Sequence, residues 1–134
     1  MVDPDPSAGA GAVLYVQDLD RVADFYVAVA GLTRTAVGSD HLRLALGGFE
    51  LALVQVPAHI AAAVTLTNPP RRRESTPVKL VFVAADLPSA RARAVAHGGV
   101  IDGPEREWED GAWTRCDGHD PEGNVIALKV RRPA

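Results

Sequence analysis

The spacing of apolar and polar positions changes several times along the chain, and each change marks an element. Residues 12–17 read as a strand around the apolar run Val13-Leu14-Tyr15-Val16. From Asp18 the spacing becomes helical. Leu19, Val22, Ala23, Tyr26, Val29 and Ala30 share one face of a helix that Gly31 can end in a left-handed conformation. Asp18 is placed to cap that helix, because its carboxylate can accept an unpaired N–H of the first turn. Phe25 and Tyr26 fall in the core by the same spacing. Residues 33–37 and 41–46 form a hairpin around Gly38-Ser39-Asp40, and in its second arm Leu42, Leu44 and Leu46 alternate with His41, Arg43 and Ala45. A fourth strand, 49–54, follows Gly47-Gly48. It sets Phe49, Leu51 and Leu53 on one face and Glu50, Ala52 and Val54 on the other. The order is β-α-β-β-β.

The same order then returns. Asp86-Leu87 opens a second helical stretch as Asp18-Leu19 opens the first, and Gly99 stands at the offset of Gly31. The second half reads as strand 78–83, helix 87–97, and strands 100–102, 112–116 and 124–130, with a turn at Asp120-Pro121-Glu122-Gly123-Asn124. In the last strand Ile126, Leu128 and Val130 face one way, and Val125, Ala127 and Lys129 the other. Residues 1–10, rich in Pro, Gly and Asp, are expected to be a flexible N-terminus. Residues 57–76 form a linker, with a short helix over 58–63 and a polar, proline-containing stretch over 68–76. The fold class is α+β: one compact domain of two paired βαβββ modules, 11–56 and 77–131. Each helix is expected to cover the apolar face of its sheet, and the opposite, concave faces of these cupped mixed sheets to line a shared cavity.

Composition narrows the function classes. The chain has 134 residues, 47% of them hydrophobic, and a formal charge of −3. That balance does not suggest a nucleic-acid partner, which recruits a basic face. Arg71-Arg72-Arg73, beside Pro69-Pro70, reads as a solvated loop. Cys116 stands alone, so an internal disulfide and a multi-thiolate metal site are both excluded. No apolar run reaches the roughly 20 residues that span a bilayer, and the first dozen residues lack a signal peptide's basic start and apolar core. No membrane partner is expected, and the location is expected to be cytoplasmic. Neither G-x-G-x-x-G nor G-x-x-x-x-G-K-[ST] occurs, so nucleotide cofactors are disfavoured and no cofactor is expected.

The run L-Y-V-Q-D-L-D-R-V-A-D-F-Y-V-A-V-A-G-L resembles the opening of the vicinal oxygen chelate superfamily, which includes glyoxalase I, extradiol dioxygenases, fosfomycin-resistance enzymes and bleomycin-resistance proteins. F-V-A-A-D-L-P-S-A-R-A-R-A-V-A-H-G-G-V and D-P-E-G-N-V-I-A-L resemble its second half, so the likeness spans about residues 11–130. It implies the paired fold, and a homodimer, but no particular reaction. It also implies where a metal would be held: at one position on each of the first, fourth, fifth and eighth strands, typically His or Gln, Glu, His and Glu. In this chain those positions carry Gly11, Glu50, Lys79 and Ala127. Glu50 alone is of a ligand type. Gly11 and Ala127 offer no donor atom, and the Lys79 ammonium has no free lone pair. Loss of the family's metal site is the expectation.

Two readings follow. In the first, the protein binds a small, largely apolar or aromatic ligand in the concave cavity without a metal. Val13, Tyr15, Ala52, Val54, Val81, Val83 and Val125 would wall it, and Glu50 and Lys79 would form a salt bridge in place of the cation. His41, Arg43 and Arg115 are cavity or rim candidates on the polar sides of their strands. Trp108 and Trp113 could stack on a flat ligand, and Glu105, Glu107, Glu109 and Asp110 nearby could attract a cationic one. In the second reading the protein is a metal-independent lyase or isomerase, with Glu50 as general base in an apolar setting and Lys79 or Tyr15 as electrophilic partner.

Overall fold

A computed structural model describes residues 9–62 and 65–133. The first module runs β1 (Ala10–Val16), α1 (Leu19–Ala30), β2 (Thr33–Val37), β3 (His41–Leu46) and β4 (Phe49–Gln55). Its sheet has the order β1-β4-β3-β2, with β1 parallel to β4 and the other pairs antiparallel. The linker carries a single helical turn, α2 (Ala58–Ala61); the end of the short helix expected over 58–63 lies outside the described residues. The second module runs β5 (Leu80–Val83), α3 (Leu87–Ala96), β6 (Val100–Ile101), a 3₁₀ turn at Pro104–Arg106, β7 (Trp108–Asp110), β8 (Trp113–His119) and β9 (Val125–Arg131). Its sheet has the order β5-β9-β8-β6, and β7 pairs with the other end of β8. No described helix is long and apolar enough to cross a membrane.

The boundaries differ from the sequence reading in instructive places. The stretch expected to be a flexible N-terminus, 1–10, lies mostly outside the described residues, but Ala10 already pairs with Phe49 in β1. The strand at Trp108–Asp110 was not expected. Its signal was Asp110-Gly111 between the two tryptophans, where Gly111 takes φ +58 and turns β7 into β8. Both helix caps form as expected: the Asp18 carboxylate accepts from the Arg21 N–H, and the Asp86 carboxylate from the Ser89 N–H. The second helix, however, is closed by Gly98 (φ +83), not Gly99. Gly99 serves packing instead, since a Cβ there would come within 2.3 Å of the Phe25 ring and 2.5 Å of the His119 carbonyl oxygen.

The helices of both modules meet in one core. α1 packs on its own sheet and against α3, and the buried residues of both halves form a single apolar cluster. Phe82 of β5 reaches Tyr26 of α1 at 5.7 Å and Phe49 of β4 at 6.0 Å between ring centroids. The turn before β9 docks on the start of α1. Fully buried Asp120 accepts a 2.8 Å hydrogen bond from the Tyr26 hydroxyl, and also bonds from Asn124 and from the Glu122 N–H. Glu122, likewise buried, accepts from the Gln17 N–H at 2.9 Å and the Asp18 N–H at 2.8 Å. Burial pushes the Asp120 carboxyl up against the hydrogen bonds that pull it down, and burial beside Asp120 raises the Tyr26 phenol well above its ordinary value.

This joint sets two expected outcomes. Tyr26→Phe should cost about 1–2 kcal/mol, one bond to a carboxylate that keeps its other donors. Asp120→Ala should cost about 3 kcal/mol or more, because it orphans the phenol, the buried Glu122 N–H and the half-buried Asn124 N–H at once. Urea unfolding should show both as shifts of the midpoint at unchanged m.

Candidate functional site

With the helices turned into one core, each sheet shows its opposite face outward. On the first sheet the register sets Gly11 beside Glu50, Val13 between Ala52 and solvent, and Tyr15 beside Val54, with Arg43 opposite Ala52 and His41 opposite Val54. Val13 is 57% exposed and Tyr15 64%. The second sheet lines up Trp108, Arg115, Lys129 and Val83 in one row and Asp117, Ala127 and Val81 in the next. Val81 and Val83 are 40% and 52% exposed. All eight candidate residues, Tyr15, His41, Arg43, Glu50, Lys79, Trp108, Trp113 and Arg115, therefore belong to these two faces, four to each. Within one chain the principal clefts touch one face or neither, and none is lined by both.

Glu50 and Lys79 do not pair. Glu50 accepts from Arg43 Nη1 at 2.8 Å, across the two neighbouring strands β3 and β4. Lys79, one residue before β5, donates to both Asp117 oxygens at 3.0 and 3.2 Å. Each charge found a partner on its own sheet, which the sequence spacing of the two residues did not reveal. Glu50 is also nearly half exposed, so it does not sit in the apolar setting expected of it as a general base. His41 holds Asp40 at 3.0 Å.

Three of the four acidic residues around the tryptophans are committed as well. Glu107 is bonded to Arg91, Asp110 to Arg115 and Glu109 to Arg132. Trp113 carries two of the protein's own cations, Lys129 at 4.3 Å and Arg131 at 4.9 Å, and Lys79 sits 5.9 Å from the Trp108 ring. The expected attraction of a cationic ligand would have to compete with these cations, which already occupy the rings. Arg115 and Lys129 stand directly opposite each other, an arrangement that like charges disfavour. The Asp110 carboxylate and the Trp113 ring offset it.

The linker supplies a part that sequence reading missed. Arg72 leaves its triplet and inserts into the second module, where it grips both Asp102 oxygens at 2.6 and 2.9 Å and donates from Nε to His119 Nδ1 at 2.9 Å. The guanidinium holds the Asp102 carboxyl below the ordinary range. Burial, then the Arg72 charge, pushes His119 below its usual value near 6.5, while Asp120 and Asp102 oppose that shift.

The four positions that would hold the superfamily's metal fit poorly. Beyond the identities already noted, a Cβ at Gly11 would lie 2.8 Å from the Glu50 carbonyl oxygen, so a larger ligand residue there needs the backbone to move. Ala127 is buried, and Lys79 and Glu50 are each engaged elsewhere. Among the described residues no three of His, Cys, Asp and Glu gather as a candidate metal site.

Two cupped mixed sheets from repeated βαβββ modules, sharing one helical core, define the glyoxalase/bleomycin-resistance fold. A family profile described as a glyoxalase-like domain matches residues 11–128, so the chain belongs to that family within the vicinal oxygen chelate superfamily. Solved structures similar to it include TnmS3, an antibiotic binding protein from Streptomyces sp. CB03234 (24% identity, 98% of each chain, TM-score 0.58). A glyoxalase/bleomycin resistance protein/dioxygenase family enzyme from Burkholderia phytofirmans PsJN is also similar (17%, 90% of this chain and 96% of that one, TM-score 0.65). So is the fosfomycin resistance protein FosX from Listeria monocytogenes (13%, 97% and 94%, TM-score 0.61). No curated protein matches.

Two measurements check the electrostatics. In a double-mutant cycle, Glu50→Gln with Lys79→Met should couple by less than about 0.3 kcal/mol, whereas Glu50→Gln with Arg43→Met should show the roughly 0.2–1 kcal/mol of an exposed pair. For His119, the unfolded chain takes up its proton near 6.5 and the folded chain at lower pH. Its contribution is therefore complete above about pH 7 and is lost as pH falls through that window. Stability against pH in His119→Gln should have a shallower slope between about pH 7 and 5 than in the parent.

Proposed function

We propose that the protein is a metal-free binder of a small, largely apolar or aromatic molecule, held against the outward sheet faces. The observation that carries this is the exposure of Val13, Tyr15, Val81 and Val83 on faces whose metal-ligand positions are Gly11, Glu50, Lys79 and Ala127. Exposed apolar surface of that extent is costly unless something covers it. Two copies can supply the cover, the first-sheet face of one closing over the second-sheet face of the other, with the ligand between them. The homodimer and the cavity are in this reading one and the same structure. Tyr15 would wall the cavity from one side, Trp108 from the other, and Arg43, Glu50, Lys79 and Arg115 would set its polar points. The antibiotic-binding description of TnmS3, over the full length of both chains, is consistent with a binder. The lyase or isomerase reading gains nothing from a half-exposed Glu50 already bound to Arg43.

Both tryptophans lie on the second face, which gives a direct test. The neutral apolar fluorophore N-phenyl-1-naphthylamine should quench tryptophan emission on binding, and Tyr15→Ala, on the other sheet, should weaken it roughly tenfold. Nickel, zinc or manganese should leave both Tm and the titration unchanged. A metal retained through purification and stripped only with loss of binding would refute the proposal, as would a monomer that binds the probe regardless of Tyr15.

A further inference from the structure

A separate cleft of about 460 Å³ opens where the ends of β1 and β4 meet the linker, lined by Tyr15, Gln17, Val56, Pro57, Ile60, Arg73 and Glu122. Its volume lies in the range of small-molecule sites. One chain builds it, and only Tyr15 is shared with the sheet faces discussed above. Most of its wall is apolar: Val56 just beyond β4, Pro57 at the entry to α2, Ile60 of α2, and the Tyr15 ring. Ile60 is 47% exposed on a helical turn that buries no residue of its own. A turn with no core to serve is better explained by what it faces.

The two charged residues in the wall differ in kind. Glu122 is buried, and both its oxygens are taken by the N–H groups of Gln17 and Asp18, so its charge is answered inside the protein. Arg73 is half-buried and held in place through its backbone, whose N–H donates to the Gly123 carbonyl at 2.8 Å. Its guanidinium has no carboxylate partner among the described residues; the same holds for Arg21, Arg71, Arg93, Arg106 and Arg131, and what sets Arg73 apart is its place in the wall of an apolar cleft. Arg73 also borders an adjoining polar cleft of about 500 Å³, with Arg71 and the hydroxyl residues Thr65, Thr67, Ser75 and Thr76. Glu74, the other acid there, lies within the field of Arg72. An apolar chamber thus ends at an unanswered guanidinium with a second arginine behind it.

We propose that this cleft is a second binding site, for a small amphipathic carboxylate. Its apolar body lies against Tyr15, Val56, Pro57 and Ile60, and its carboxylate accepts from Arg73, whose planar fork suits that group. Because one chain builds it, the site forms without the paired-face cavity, and the Tyr15 ring is the one wall the two share.

Decanoate tests it, with decanol and decylammonium as neutral and cationic counterparts of the same length. Calorimetry should detect decanoate, with decanol weaker by roughly tenfold, the order expected for a hydrogen-bonded charge; decylammonium should not bind. Arg73→Gln should bring decanoate down to the decanol level, and Ile60→Ser should weaken both. Neither side chain makes a hydrogen bond among the described residues, so both variants should keep the parent Tm. Decanoate affinity untouched by Arg73→Gln, or equal affinity for decanol and decanoate, would overturn the proposal. Loss of decanoate binding in Lys129→Gln but not in Arg73→Gln would also overturn it, placing the anion on the second sheet face and leaving the function proposed above intact.

Discussion

The turn at Asp120-Pro121-Glu122-Gly123-Asn124 decides how the two halves sit together. Its two carboxylates are buried, which is expensive for charges unless they are fully hydrogen-bonded. Both are bonded, and part of what bonds them comes from the other module: the Tyr26 hydroxyl for Asp120, and the Gln17 and Asp18 N–H groups for Glu122. Those N–H groups stand at the entry to α1, where amides lack helical partners and favour a negative charge. The second module therefore completes the first helix of the first module. If the modules separate, Asp120 loses the phenol and Glu122 loses both amide donors, so the joint is specific as well as stable.

Everything on the surface follows from that joint. Docking the β9 turn on α1 draws α3 and Phe82 into the same core and turns both helix-bearing faces inward. The opposite faces are then left outward, and their chemistry is uneven. The first is apolar with one Arg43–Glu50 pair; the second is a ladder of tryptophan, valine and base. Lys129 and Arg131 on the Trp113 ring, beside Arg115, concentrate positive charge where the −3 of the whole chain would not suggest it. Net charge describes the chain; the register of β8 and β9 describes the face.

Periodicity made most of the fold legible. Alternation in 41–46 and 49–54 assigned the right residues to each face, and the Asp caps located both helices. The faces of Tyr15, Arg43, Glu50 and Lys129 followed from a period of two. Pairing did not. Glu50 and Lys79 occupy two of the positions that the resemblance assigns to a metal, yet each is reached first by a neighbour on its own sheet, because a strand beside it lies closer than another module. Arg72 was equally hidden: a charge run in a proline-rich stretch gives no sign of which arginine turns inward, and the choice depends on the Asp102–His119 pocket that only the folded second module creates.

That pocket explains why residues 71–73 have a fixed path. Arg72 anchors one side of it, and the Arg73 N–H on the Gly123 carbonyl anchors the next residue to the very turn that joins the modules. A Cβ at Gly123 would fall 2.0 Å from the Arg71 carbonyl oxygen, so the close crossing itself requires glycine there, quite apart from its φ of +82. With residues 71–73 pinned across the turn, alternate side chains are committed in opposite senses. Arg72 goes inward to Asp102, and Arg71 and Arg73 are left to the clefts on either side of Glu122. The free guanidinium beside an apolar chamber is thus a consequence of the same crossing that holds the two halves together.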